Sequence, residues 1–196
     1  MQAALHLFAH QGYHGTTLDQ IARQASVSKG TILNNFSTKA GLYRATLDDV
    51  VDRVSAKVAT TEELVDSASP YVRLVEIVRG LLTIFDADPT SARLLIRELT
   101  PASPRPDHMK SAVCARVVGP VHGALREWRD DGRGLGPHAP DELTPDGPLP
   151  IIATALVGSL AVAAIDRRVN HPDQNLDEVA QAYVLSFQGF NVQSLR

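Results

Sequence analysis

Residues 16–36 read TTLDQIARQASVSKGTILNNF, and this stretch decides the fold. Leu18, Ile21, Ala22 and Ala25 recur at i, i+3, i+4 and i+7, the spacing that lines one face of an α-helix. Thr16 is placed to cap that helix, and Asp19 adds a carboxylate beside its positive end. After Ser26-Val27, Ser28 is placed to cap a second helix with Ile32 and Phe36 turned inward. Two short helices joined by a tight turn make a helix-turn-helix, the unit whose second helix enters a DNA major groove.

Helical signals continue in both directions. A first helix over residues 2–11 buries Leu5, Phe8 and Ala9 and stops at Gly12. A fourth begins after Ser37 and turns Leu42, Leu47, Val50, Val51, Val54 and Val58 inward. Ser69-Pro70 opens a fifth, ending near Phe85, and Asp88-Pro89 opens a sixth through Leu94, Leu95 and Leu99. Pro101, Pro104 and Pro106 break the chain before a seventh over roughly 107–129, and the Gly- and Pro-rich residues 130–150 are expected to form a loop. An eighth over 151–169 and a ninth over 176–190 follow. There is no strand alternation and no internal repeat. The expectation is an all-α protein of about nine helices, with a three-helix head in residues 1–47 and a helical body in 48–196.

Composition narrows the class. With 44% hydrophobic and 21% charged residues among 196, the chain can bury a sizeable core and is not of the disordered type. Cys114 is the one cysteine, which excludes an intramolecular disulfide and suits a reducing compartment. No secretory leader is legible, and the longest apolar run, residues 151–165, is interrupted by Thr154 and Ser159. That run is shorter than the ~18 residues a membrane span needs, so a buried helix and a cytoplasmic protein with no membrane partner are expected. The net charge is −3, but residues 1–47 carry four basic residues against Asp19 alone, a net of +3. The remainder carries 15 basic and 21 acidic residues, a net of −6. A basic head on an acidic body suits phosphate binding, because that attraction is local and screened.

The first 47 residues, from AALHLFAHQGYHGTTLDQIA through VSKGTILNNFSTKAGLYRATL, resemble the DNA-binding domain of the TetR family of regulators. The resemblance implies a dimeric regulator, in all expectation a repressor, that reads a palindromic double-stranded operator and is released by a small-molecule effector. It implies no cofactor. It also implies that Lys39 supplies a phosphate contact, and that an effector pocket lies among the fifth to eighth helices. Bulky or polar residues chosen there as candidate liners are Phe85, Met109, Cys114, His122 and Trp128. The family's last helices pair across a two-fold axis. Here Ala155, Ser159 and Ala163 form a small-residue stripe, and Tyr183 and Phe187 lie on a face of the ninth helix, so these are the candidate homodimer residues.

The DNA-side candidates have physical cases of their own. The hydroxyls of Thr17 and Ser28 sit at helix N-termini, where N–H groups and the dipole favour a phosphate. Lys29 and Thr31 lie in the exposed first turn of the recognition helix, and Gly30 permits close approach. Three departures from the family pattern stand out. Leu33, Asn34 and Asn35 replace the usual aromatics and His, so Leu33 removes one backbone anchor. Asn34 or Asn35 is then either an adenine reader or the polar end of the helix. Ser26 stands where Gly is frequent, and the basic residues that often precede the first helix are missing. These departures leave open an alternative, a small-molecule-binding or protein-interaction member with a weakened head.

Other constellations carry less. His6, His10 and His14 share a helical spacing, but Gly12 separates the third and no Cys or carboxylate completes a metal site. The segment GRGLG at 132–136 follows no strand and precedes Pro137, unlike a nucleotide loop. Asn35-Phe36-Ser37 is a glycosylation sequon in name only, and Cys114 is expected to pack rather than react. No nucleophile with a positioned base appears, so an enzyme is not expected.

Overall fold

The computed structural model describes residues 1–64, 69–100, 113–130 and 149–188. Among these the chain forms nine α-helices and no strand. They are α1 (Gln2–Gly15), α2 (Leu18–Ala25), α3 (Lys29–Phe36), α4 (Lys39–Leu64), α5 (Pro70–Ala87), α6 (Pro89–Leu99), α7 (Gly119–Asp130), α8 (Leu149–Asn170) and α9 (Leu176–Gln188). A π-helical turn, Cys114–Val118, runs directly into α7. Residues 107–112 of the expected seventh helix, most of the expected 130–150 loop, and the end of the expected ninth helix lie outside the described residues.

Local chemistry explains the head. The stop expected at Gly12 is a break rather than an end: Gly12 takes φ 75° and ψ 172°, and one more turn carries α1 to Gly15. Thr16, expected as a cap, is instead buried, and its hydroxyl donates to the Gly12 carbonyl at 2.8 Å. The cap of α2 is Thr17. Its hydroxyl accepts from Gln20 N at 3.2 Å while Gln20 Oε1 accepts from Thr17 N at 2.7 Å, a reciprocal capping box. The box selects Thr17 because Gln20, three residues on, has the reach to return to the backbone. α2 ends at Ser26 in the left-handed region (φ 55°, ψ 40°), and Val27 N donates to Ala22 O at 3.0 Å. Ser28 caps α3 as expected, accepting from Thr31 N at 3.0 Å. In the first turn of α4, a Cβ on Gly41 would lie 2.2 Å from the Phe36 carbonyl oxygen, so only glycine fits.

Packing joins head and body through α4. Phe8, Ile21, Ile32, Tyr43 and Leu47 fill the head, with Tyr43 edge-on to Phe8 at 4.8 Å. Val50, Val51, Val54 and Val58 of the same helix enter the body, so residue 47 lies within a shared element. The body is built around α5, whose Leu74, Ile77, Val78, Leu81, Leu82 and Phe85 are buried against α4, α7, α8 and α9. α6 packs between α1 and α8.

Polar joints reinforce this arrangement. Arg97 of α6 donates from Nε to Ala9 O at 2.8 Å and from Nη2 to His10 O at 2.9 Å. The next residue, Glu98, is buried and accepts from the Tyr43 hydroxyl of α4. Arg53 of α4 reaches Asp88 at 3.1 Å and Ser91 at 3.2 Å, and Arg116 reaches Asp52 at 2.6 Å. Burial pushes the Asp88 carboxyl up. The Ser91 hydroxyl and N–H, with the Arg53 guanidinium, outweigh it and hold the group below its ordinary 3.8.

α8 is longer than the apolar run foreseen, at 22 residues. By length and composition it qualifies as a membrane-crossing segment, with mean hydropathy 1.5 over Pro150–Asn170. Its inner face, Ala153, Leu156, Val157, Leu160, Ala161 and Ala164, is instead buried in the core. Its outer face leaves Ile151, Ala155, Val162 and Val169 exposed.

Candidate nucleic-acid interface

α3 presents one face to the head and the opposite face to solvent. At 100° per residue, Ile32 and Phe36 point together into the core, and Asn34 points directly away from their mean direction. Gly30 and Thr31, one turn earlier, flank Asn34, and Leu33 stands beside it with 37% of its surface exposed. A Cβ on Gly30 would meet nothing nearer than Ser28 Oγ at 3.5 Å, so the fold does not demand glycine there. Glycine costs a helix interior about 0.5–1 kcal/mol relative to alanine, which leaves close approach from outside as its use.

The polar groups around this face differ in how far they are already engaged. Lys29 pairs with Asp19 of α2 at 3.0 Å, with both side chains about half exposed (49% and 63%). The Thr31 and Ser28 hydroxyls lie 2.9 Å apart, and the Thr17 hydroxyl donates to Gln20 Oε1 at 3.0 Å within its capping box. Asn35 turns back on its own helix, Nδ2 donating to Thr31 O at 2.8 Å. Asn34 is exposed and has no intramolecular partner among the described residues. Lys39 is half-buried: its Nζ donates to Tyr13 O and Thr16 O, both at 2.9 Å, and lies 4.3 Å over the Tyr13 ring. It pins the start of α4 to the turn before α2. Thr17, Ser28, Lys29, Gly30, Thr31, Leu33 and Asn34 are each exposed, while Asn35 and Lys39 are held by the backbone.

In the body the four described pocket candidates stand in different settings. Phe85 and Trp128 are fully buried core side chains, His122 is half-buried with Nε2 unpartnered, and Cys114 is exposed rather than packed. Met109 lies outside the described residues. A cleft of about 620 Å³ opens instead where α1, α6 and α8 meet, between His10, Arg93, Arg97, Val162 and Asp166. Of the candidate dimer residues, Ala155 is exposed, and Ser159, Ala163 and Tyr183 are half-buried. The Tyr183 hydroxyl donates to Ser159 O at 3.1 Å, tying α9 to α8, and the Phe187 side chain lies outside the description. His6 and His10 stack at 4.4 Å, and no cluster of three metal-type ligands occurs among the described residues.

Sequence reasoning missed the Arg97 and Glu98 joints, whose partners lie 55–88 residues away. It also missed the Asp19–Lys29 pair. Their separation of ten residues across a predicted turn was the available signal.

Comparisons with known proteins agree with this geometry. The family model described as bacterial regulatory proteins, tetR family, matches residues 1–46. The HTH-type transcriptional regulator RutR of Escherichia coli K12 is 34% identical over 143 residues, covering 73% of this chain and 66% of RutR. The fold is shared with a candidate fatty acid metabolism regulator of Clostridium perfringens (TM-score 0.73, 20% identity, 95% of each chain). It is shared also with the transcriptional regulator FadR of Bacillus subtilis in complex with stearoyl-CoA (TM-score 0.67, 17% identity, 96% of this chain and 95% of that one). With a capped helix-turn-helix on a helical body, and with these relatives, the chain belongs to the tetR family of bacterial regulatory proteins.

Proposed function

We propose that this protein is a ligand-responsive transcriptional regulator that binds a palindromic DNA operator as a homodimer and represses until a small-molecule effector releases it. The observation that carries the reading is the outward face of α3, where Gly30, Thr31, Leu33 and Asn34 stand exposed, with Lys29 exposed in the first turn of the same Ser28-capped helix. That is the geometry of a recognition helix whose early residues reach base edges. The exposed apolar outer face of α8 (Ile151, Ala155, Val162), with Leu185 on α9, supports pairing with a second copy. Two heads related by a two-fold axis then read two half-sites a whole number of helical turns apart. The protein works inside the cell, where its DNA is, and performs no catalysis.

Effector control is a coupling between two sites. An effector favouring a body conformation in which the heads are wrongly spaced disfavours DNA, and DNA disfavours the effector by the same factor. FadR of Bacillus subtilis, which shares the fold, holds stearoyl-CoA, and this supports a small-molecule ligand for the body here. A second reading, a member with a weakened head, is favoured by the engagement of Lys39 on the chain's own carbonyls and of Lys29 on Asp19.

Selection of bound sequences from a random duplex pool at two salt concentrations decides between them. A palindromic consensus whose affinity falls steeply with salt, and which Lys29→Ala weakens, supports the regulator. No enrichment at low salt favours the second reading.

A further inference from the structure

The recognition face points to a particular class of base pair. Its cation, Lys29, sits at the first residue of α3 and is paired with Asp19, and no arginine lies anywhere on the helix. The commonest specific contact in a major groove, a guanidinium or ammonium forked onto guanine O6 and N7, is therefore absent from the centre of the face. What occupies the centre is Asn34, whose carboxamide is unpartnered among the described residues and points straight out from the head. A carboxamide matches adenine, accepting from the N6 amino group and donating to N7. Asn35, the neighbouring amide, is spent on Thr31 O and faces elsewhere. Beside Asn34 lies Leu33, an exposed apolar side chain on a helix whose other exposed residues are polar or glycine. The one apolar group that a major groove displays is the thymine methyl. Gly30, which packing does not require, removes the side chain that would hold this part of the helix away from the groove floor.

We infer that Asn34 reads an adenine, that Leu33 packs on a thymine methyl, and that each half-site is centred on A·T pairs. This rests on the DNA-binding reading above and adds what that reading leaves open, the chemistry of the bases recognised. The two carboxamide hydrogen bonds and the methyl contact need no rearrangement of the head, since both side chains already stand exposed.

The test uses the full chain and the duplex it selects from a random pool. An A·T core is expected in each half-site. Asn34→Ala is expected to relax the preference at one position by about 5- to 150-fold while leaving the others. Two changes made on the DNA avoid altering the protein. Replacing that adenine with 7-deazaadenine removes N7, and replacing thymine with deoxyuridine removes the methyl. Each is expected to weaken the wild-type protein, the first without effect on Asn34→Ala and the second without effect on Leu33→Ala. A G·C core, an unchanged consensus for Asn34→Ala, or indifference to both modified bases overturns the inference while leaving DNA binding intact. Failure of the wild-type protein to enrich any duplex sinks the DNA reading itself.

Discussion

Replacing Ser26 with glycine is expected to stabilise the protein, and the magnitude follows from one backbone angle. Ser26 closes α2 at φ 55° and ψ 40°, where a residue with a Cβ crowds its own carbonyl. That conformation costs roughly 1–2 kcal/mol for an L-residue. Glycine relieves it but adds unfolded-state freedom worth about 0.5–1 kcal/mol. The net gain is centred at about 0.75 kcal/mol, or a rise in Tm of roughly 1.5–3 °C for a chain of this size. Losing the serine side chain costs no packing, because Ser26 is exposed and its cap is made by backbone groups, Ser26 N to Arg23 O at 3.2 Å and Val27 N to Ala22 O at 3.0 Å. Urea unfolding gives the stability, and hydrogen exchange at the Ser26 and Val27 positions places the gain in the turn. Ser26→Ala keeps the strain and is expected to be neutral, whereas Ser26→Val is expected to lose more than about 1 kcal/mol. If Ser26→Gly is no more stable than Ser26→Ala, left-handed strain does not operate in this turn.

Other outcomes follow from the polar groups. Asp19→Asn frees Lys29 and is expected to raise low-salt affinity for random duplex DNA, while Lys29→Ala lowers the salt slope by about 1; fluorescence anisotropy across a salt series reads both. Arg97→Ala removes two charge-assisted hydrogen bonds between α6 and the end of α1 and is expected to cost about 2 kcal/mol. Faster hydrogen exchange over residues 9–16, with the α5 core unchanged, is the signature to look for. Asp88 has a folded pKa below its ordinary 3.8, so it contributes stability above the unfolded value that is lost as pH falls through the folded one. The advantage of the wild type over Asp88→Asn in urea is therefore expected to be level near neutrality and to vanish as the pH drops below about 4.

The head was legible because its determinants are local. Ser28, Ile32 and Phe36 lie within nine residues, and capping and periodicity act over that distance. The choice of Thr17 over Thr16 was not legible from cap preference, since both are threonines; the burial of Thr16 beneath Gly12 settles it. Nor was the fate of Lys39, because a lysine destined for a phosphate and one lying over Tyr13 look alike in sequence. The pocket candidates were the least readable. Phe85 and Trp128 carry the same signal whether they fill a core or line a cavity, and here both fill the core.

The length of α4 has a geometric consequence. Its 26 residues make a rod about 39 Å long, rooted in the body at one end and in the head at the other. A pivot of about 5° at the body end sweeps the other end through roughly 3.4 Å, the rise of one base pair. The same pivot shifts Val50, about halfway along the rod, by roughly 1.8 Å, so the body packing around α4 must give as the head moves.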